Sequence, residues 1–128
     1  RPGEDITVFC YGLMVNYCLQ AADILANDGI DAEVVDLRTV YPLDKATIIE
    51  RSQRTGKVLL VTEDNLEGSI MSEVSAIIAE NCLFDLDAPI MRLAAPDVPS
   101  MPFSPTLENE IMMNPEKIQD KMRELAQF

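Results

Sequence analysis

The chain contains no histidine, and that absence removes more chemistry than any other. Ser-His-Asp and Cys-His nucleophilic sites, HExxH zinc sites and imidazole proton shuttles all require the missing side chain. Glycine is scarce as well: five residues, scattered, none forming the GxGxxG or GxxxxGK[ST] turn whose N–H groups cradle phosphates. Cysteine numbers three (Cys10, Cys18 and Cys82), an odd count without CxxC spacing, so neither a disulfide framework nor a zinc site is indicated and a reducing, cytoplasmic setting is expected. Positive charge is sparse, 10 Lys and Arg against 22 Asp and Glu. The resulting net charge of -12 repels phosphate backbones and anionic lipid, so a basic protein is a better partner than nucleic acid or membrane. No apolar run approaches the ~18 residues of a membrane span. The chain opens at Arg1-Pro2 without methionine, which reads as a piece of something longer.

What is present is a globular mixture, 48% hydrophobic and 25% charged over 128 residues, enough for one domain spanning 1–128. Ile6 to Tyr11 is β-branched and aromatic and reads as a buried strand. Val15, Cys18, Leu19, Ala22, Leu25 and Ala26 then keep helical spacing from Met14 to Asn27, with Gly29 as a left-handed stop. The unit repeats. Ala32 to Leu37 reads as a strand, and Asp44 can cap a helix carrying Ile48 and Ile49 that ends at Gly56. Val58 to Val61 is a continuous apolar run of the kind buried on both faces of a parallel sheet, followed by a helix capped by Ser69 and bearing Val74, Ile77 and Ile78. Ile90 to Ala94 is a fourth strand, with Pro89 at its first position. Four prolines between Pro96 and Pro105 force an extended loop. Asn114 with Pro115 then opens a C-terminal helix over 114–127 whose stripe is Ile118, Met122 and Leu125. Alternation of this kind predicts a three-layer α/β/α fold around a mostly parallel sheet with right-handed crossovers.

In such sheets ligands bind beyond the carboxyl ends of the strands. Arg38 and Glu63 both follow strands expected to be neighbours, and the predicted relationship is a structural ion pair tying two loops, with an anion clamp as the alternative. Glu63, Asp64 and Glu67 form an acidic cluster that is either a solvated loop or oxygen ligands for a hard cation. The cysteines lie on apolar faces and read as core. Met112, Met113 and Met122 are explained by packing or, preferably, by a subunit interface.

Several segments, taken in order, resemble one family. Asp5-Ile6-Thr7-Val8 with Tyr11-Gly12-Leu13-Met14-Val15 is similar to the opening of the C-terminal domain of E1 β subunits from thiamine-diphosphate-dependent 2-oxo acid dehydrogenase complexes. Ala32-Glu33-Val34-Val35-Asp36-Leu37-Arg38-Thr39, with Pro42-Leu43-Asp44, resembles that family's second strand and exit loop. Val61-Thr62-Glu63-Asp64 and Ser72-Glu73-Val74 match its third strand and helix, and Asp87-Ala88-Pro89 with Ala95-Pro96-Asp97-Val98-Pro99 its fourth strand and proline loop. Where the family often has Gly-Gly before the third helix, Gly68-Ser69-Ile70 stands here.

The resemblance implies the transketolase C-terminal-like fold, whose five-stranded sheet includes one antiparallel strand that normally precedes Arg1. The expectation is therefore four strands, the antiparallel edge strand lacking. It implies that the catalytic histidine and the cofactor motif lie outside this stretch, so this domain itself holds no cofactor and has no catalytic or metal residues. The parent E1, an oxidoreductase and heterotetramer, binds thiamine diphosphate and Mg²⁺, decarboxylates a 2-oxo acid and passes the acyl group to lipoyl-E2. Pyruvate, branched-chain 2-oxo acids and acetoin all remain open as substrates, with a lean to acetoin or pyruvate. The implied partners are an E1 α subunit, a second E1 β subunit and the small, basic E2 peripheral subunit-binding domain. The resemblance carries two partner-binding residues onto this chain, Asp87 and the terminal carboxylate of Phe128. A receiver-like signalling module and a standalone ligand-binding α/β domain are the competing readings. A receiver needs acidic residues and a phosphoacceptor Asp after its strands, where this chain has Gly12 and Arg38.

Overall fold

The first strand, β1 (Ile6–Cys10), is buried along its whole length. Its side chains alternate between two cores, as the two-residue period of a strand requires. Ile6, Val8 and Cys10 point to one and Phe9 to the other. The computed structural model describes residues 1–99 and 101–128, so Ser100, within the predicted proline-rich loop, lies outside the described residues. After β1 the order is α1 (Met14–Ala26), β2 (Ala32–Asp36), α2 (Lys45–Thr55), β3 (Val58–Asn65) and α3 (Ile70–Cys82). A 3-10 turn (Leu83–Asp85), β4 (Met91–Ala95), α4 (Pro105–Ile111) and α5 (Pro115–Ala126) complete the chain.

All four strands run parallel in the order β2-β1-β3-β4. α1 and α5 cover one face, where Leu25, Ile118, Met122 and Leu125 are fully buried against Val8 and Leu59. α2 and α3 cover the other, where Ile48, Val74 and Ile78 meet Phe9 and Leu60. Three layers result, with Val58 to Val61 buried on both sides.

Local signals explain most boundaries. Asp44 caps α2, its carboxylate accepting from Thr47 N at 3.1 Å and from Thr47 Oγ1 at 2.7 Å. Gly56 ends that helix in the left-handed region at φ 65°. Asn114 accepts from Lys117 N at the start of α5, with Pro115 at its first position. Ser69 precedes α3 in extended conformation, but its side chain accepts no bond from the helix, so it caps by backbone shape alone.

The structure departs from expectation in three places. β3 continues to Asn65, so Glu63 and Asp64 sit within the strand, inside the irregular stretch of its pairing with β4 between Val61 and Asn65. β4 begins at Met91, in register with Leu59, which leaves Pro89 ahead of the strand. Pro105 ends the predicted loop and opens α4, a helix over a stretch to which the sequence pattern assigns no element. Lys117 on α5 explains its persistence, because its ammonium donates to the carbonyls of Asn109, Glu110 and Met112 at 3.2, 2.7 and 2.7 Å. Three carbonyls at the end of a short helix thus share one charge.

On the outer edge of β2, Arg1 and Val34 exchange both backbone bonds, 3.1 and 2.9 Å, as a close pair in an antiparallel ladder does. Gly3 follows directly against β2, where a Cβ would overlap the backbone of Ala32 and Glu33.

Candidate functional site

The connection from β1 crosses to β2 over one face, and the return from β2 to β3 crosses over the other, so β1 and β3 flank the topological switch point where this architecture places ligands. Here that crevice is filled by methionine. Met14, Met101, Met112 and Met113, with Glu63 and Ala95, leave a space of about 50 Å³. Small-molecule sites usually need roughly 300–1,000 Å³. Gly12, at φ 60°, lets the chain turn tightly there, and Glu63 Oε1 would lie 3.8 Å from a Cβ at that position. Tyr11 Oη and Thr62 Oγ1 meet at 2.9 Å, and Thr62 in turn accepts from Asp64 N. Among the described residues no group of three acidic or cysteine side chains converges on a point that could hold a metal ion, so Glu63, Asp64 and Glu67 are an exposed run of side chains.

Arg38 does not meet Glu63. β1 stands between β2 and β3, holding their ends about 10 Å apart. The guanidinium of Arg38 turns back instead onto Asp36, Nε to Oδ2 at 2.9 Å, while its own N–H donates to Asp36 Oδ1 at 3.0 Å. These two bonds hold Arg38 at φ 61°, a left-handed conformation unusual for a side-chain-bearing residue. The predicted ion pair is thus replaced by a local clamp within one strand exit.

The methionine prediction also changes. Met113 and Met122 are 6% and 0% exposed, packed inside the domain rather than offered to a subunit. What the carboxyl end of the sheet does expose is a separate apolar set: Leu13, Val40, Tyr41, Met101, Phe103 and Leu107. Beside it, Val40 to Leu43, Lys45, Ile70 and Glu73 line a mostly apolar groove of about 580 Å³.

The opposite end of the sheet gathers Asp87 and Phe128. Asp87 is exposed, its N–H bonded to Gly56 O at 2.8 Å, and its carboxylate forms no ion pair among the described residues. Lys57, next to Gly56, donates to Ala126 O at 3.4 Å, which brings the end of α5 and exposed Phe128 to the same side. Two residues far apart in sequence therefore share the amino-terminal end of the sheet.

Sequence reasoning missed a buried polar knot. Glu33, 4% exposed on the edge strand β2, meets Arg54 Nη2 at 2.8 Å and Arg51 Nη1 at 3.4 Å through one oxygen, and accepts from Thr7 Oγ1 at 3.1 Å through the other. The hydrogen bond to Glu33 holds the Arg54 guanidinium even more firmly protonated than usual. The only sequence signal was a glutamate inside an apolar strand. All three cysteines are free and buried. A hydrogen bond with Cys10, reinforced by burial, pushes the Cys18 thiol far up, and burial raises that of Cys82. Thiolate chemistry is thereby suppressed. No helix among the described residues is long and apolar enough to cross a membrane.

Against known proteins, residues 1–118 match the family described as "Transketolase, C-terminal domain". The 2-oxoisovalerate dehydrogenase subunit beta of Bacillus subtilis (strain 168) is 67% identical over 128 residues, covering 100% of this chain and 39% of that protein. The pyruvate dehydrogenase E1 component subunit beta of the same organism is 41% identical over 128 residues, again 100% of this chain and 39% of the relative. The chain thus spans about two-fifths of the length of these relatives. Among solved structures, a split gene transketolase described as an inactive beta4 tetramer superposes with a TM-score of 0.86 at 24% identity, covering 99% of this chain and 41% of that one. That likeness is one of fold.

Proposed function

The chain belongs to the transketolase C-terminal domain family, and we propose that it is the assembly and docking part of an E1 β subunit within a longer polypeptide. The parent enzyme, on this reading, is a thiamine-diphosphate-dependent 2-oxo acid dehydrogenase that passes its acyl group to lipoyl-E2. Identity of 67% to a 2-oxoisovalerate dehydrogenase β subunit, against 41% to the pyruvate enzyme's β subunit from the same organism, favours a branched-chain 2-oxo acid over pyruvate.

The switch-point crevice of this chain does not fit the cofactor. A methionine-filled crevice of about 50 Å³ has no room for thiamine diphosphate, and no carboxylate set among the described residues converges to hold Mg²⁺. Cofactor chemistry is assigned to the remainder of the parent and to its E1 α partner. The exposed apolar set at the carboxyl end of the sheet supports contact with other E1 chains, a second β subunit among them, because a surface of that kind is stabilised by being covered. Three unbridged thiols fit a reducing, cytoplasmic setting.

The observation that carries the docking role is Asp87. It is an exposed carboxylate with no ion pair among the described residues, held at the same end of the sheet as Phe128 on a chain of net charge -12. Such a group costs nothing to unpair when a basic partner arrives. Binding of an E2 peripheral subunit-binding domain, titrated at low and high salt, tests it: Asp87→Lys removes the salt-sensitive binding, and unchanged affinity would overturn the assignment.

A further inference from the structure

Phe84 is 99% exposed and Leu83 60% exposed, neighbours on the 3-10 turn that joins α3 to β4. The turn is tied down on both sides. Gln53 Nε2 on α2 donates to Asp85 Oδ2 at 2.9 Å, and Asp87 N donates to Gly56 O at 2.8 Å. Two large apolar side chains are therefore held out in water by ordered backbone, forgoing the stabilisation that burial would return. Paired apolar exposure of this sort marks a surface that another molecule covers.

Charge identifies the partner's chemistry. Glu80, one helical turn before Phe84, and Asp85 and Asp87 just after it are all exposed, and none forms an ion pair among the described residues. An aromatic ring among unneutralised carboxylates suits a cationic, aliphatic ligand: the ring takes a methylene stem or a guanidinium face, and the carboxylates take the charge.

We propose that Leu83 and Phe84 are the apolar anchor of a docking surface for a basic protein segment, which lays an aliphatic side chain or arginine on Phe84 and sets its cations against Asp85 and Asp87. The proposal rests on the docking role given to Asp87 above and adds to it the residues that hold the partner once charge has steered it in. The two contributions separate kinetically, since rim charges act mainly on association and buried apolar anchors mainly on dissociation.

The test measures association and dissociation rates of an E2 peripheral subunit-binding domain on the 128-residue chain at low and high salt, comparing wild type, Phe84→Ser, Leu83→Ser and Asp87→Lys. Phe84→Ser is expected to weaken binding about 30-fold, through dissociation, with its salt dependence kept. Asp87→Lys is expected to slow association and flatten the salt dependence. Both apolar residues are solvent-exposed, so a thermal midpoint equal to wild type accompanies either serine variant. Loss of binding in Asp87→Lys with full affinity in Phe84→Ser and Leu83→Ser would overturn the anchor and leave the docking role standing. Failure of the wild-type chain to bind would overturn both.

Discussion

Arg54 Nη2 lies 2.8 Å from Glu33 Oε1, joining the last turn of α2 to the edge strand β2. The same guanidinium reaches Gly3 O at 2.7 Å and Glu4 Oε1 at 3.0 Å, so one side chain ties the N-terminal segment, the sheet edge and a helix together. Glu33 is the least exposed of the charged members, at 4%. Removing it takes the shared carboxylate from two guanidinium groups, although Arg54 keeps Gly3 O and Glu4, Arg51 keeps Glu50, and the Thr7 hydroxyl keeps Arg51 O and Thr55 Oγ1. Glu33→Ala is expected to cost about 2–3 kcal/mol, below the full range for buried pairs because both arginines retain some hydration. The shift in urea midpoint at constant slope reads it directly.

Two glycines in left-handed conformation offer a controlled comparison. Gly29, at φ 81°, has nothing within 4 Å of where a Cβ would stand, whereas a Cβ at Gly56, φ 65°, would stand 2.5 Å from Asp87 Oδ2 and 3.1 Å from Asp85 O. Gly29→Ala should cost about 1 kcal/mol from backbone strain alone. Gly56→Ala should cost more, about 2–3 kcal/mol, and also displace the Asp87 carboxylate. Thermal unfolding ranks the two, and equal costs would rule out the steric contribution.

The Asp44 carboxylate, bonded twice to Thr47, is held below the usual carboxylate range. Because its folded pKa lies under the unfolded one, its contribution is fully present above about pH 4 and is lost as pH falls through the lowered folded value. The stability gap between wild type and Asp44→Ala, measured by chemical denaturation, is therefore constant from about pH 5 to 7 and narrows as pH falls below about 4.

Lys117 donates to three carbonyls at the end of α4. Lys117→Met keeps the aliphatic stem and deletes the donors. Amide hydrogen exchange should accelerate over α4, with α1 and β3 unchanged, because the lost bonds are local.

The thiols supply the last prediction. Ellman's reagent should find none of Cys10, Cys18 and Cys82 in the native chain and all three after unfolding, since all are buried and two are raised above their ordinary pKa. Rapid native labelling of Cys18 would contradict its placement on the buried face of α1, packed against β1.

Legibility tracked how local each signal was. Asp44 and Gly56 bracket α2 within the range of a helical turn, so their roles could be read from neighbouring residues. The apolar run at Val58 to Val61 likewise announced a strand buried on both faces. α4 was hidden because its support, Lys117, comes from the following helix. The burial of Glu33 was not legible, since nothing adjacent in sequence reveals that Arg51 and Arg54 fold over it.

By itself the amino-acid sequence determined the alternation of strands and helices, the parallel three-layer architecture and the absence of imidazole chemistry, because periodicity and composition act over a few residues at a time. Only the tertiary structure decided that β1 separates Arg38 from Glu63, that methionines fill the switch-point crevice, and that Asp87, Phe84 and Phe128 share one end of the sheet. Those outcomes depend on strand order and helix placement, which are settled by burial of the whole apolar surface rather than by any segment's own preference.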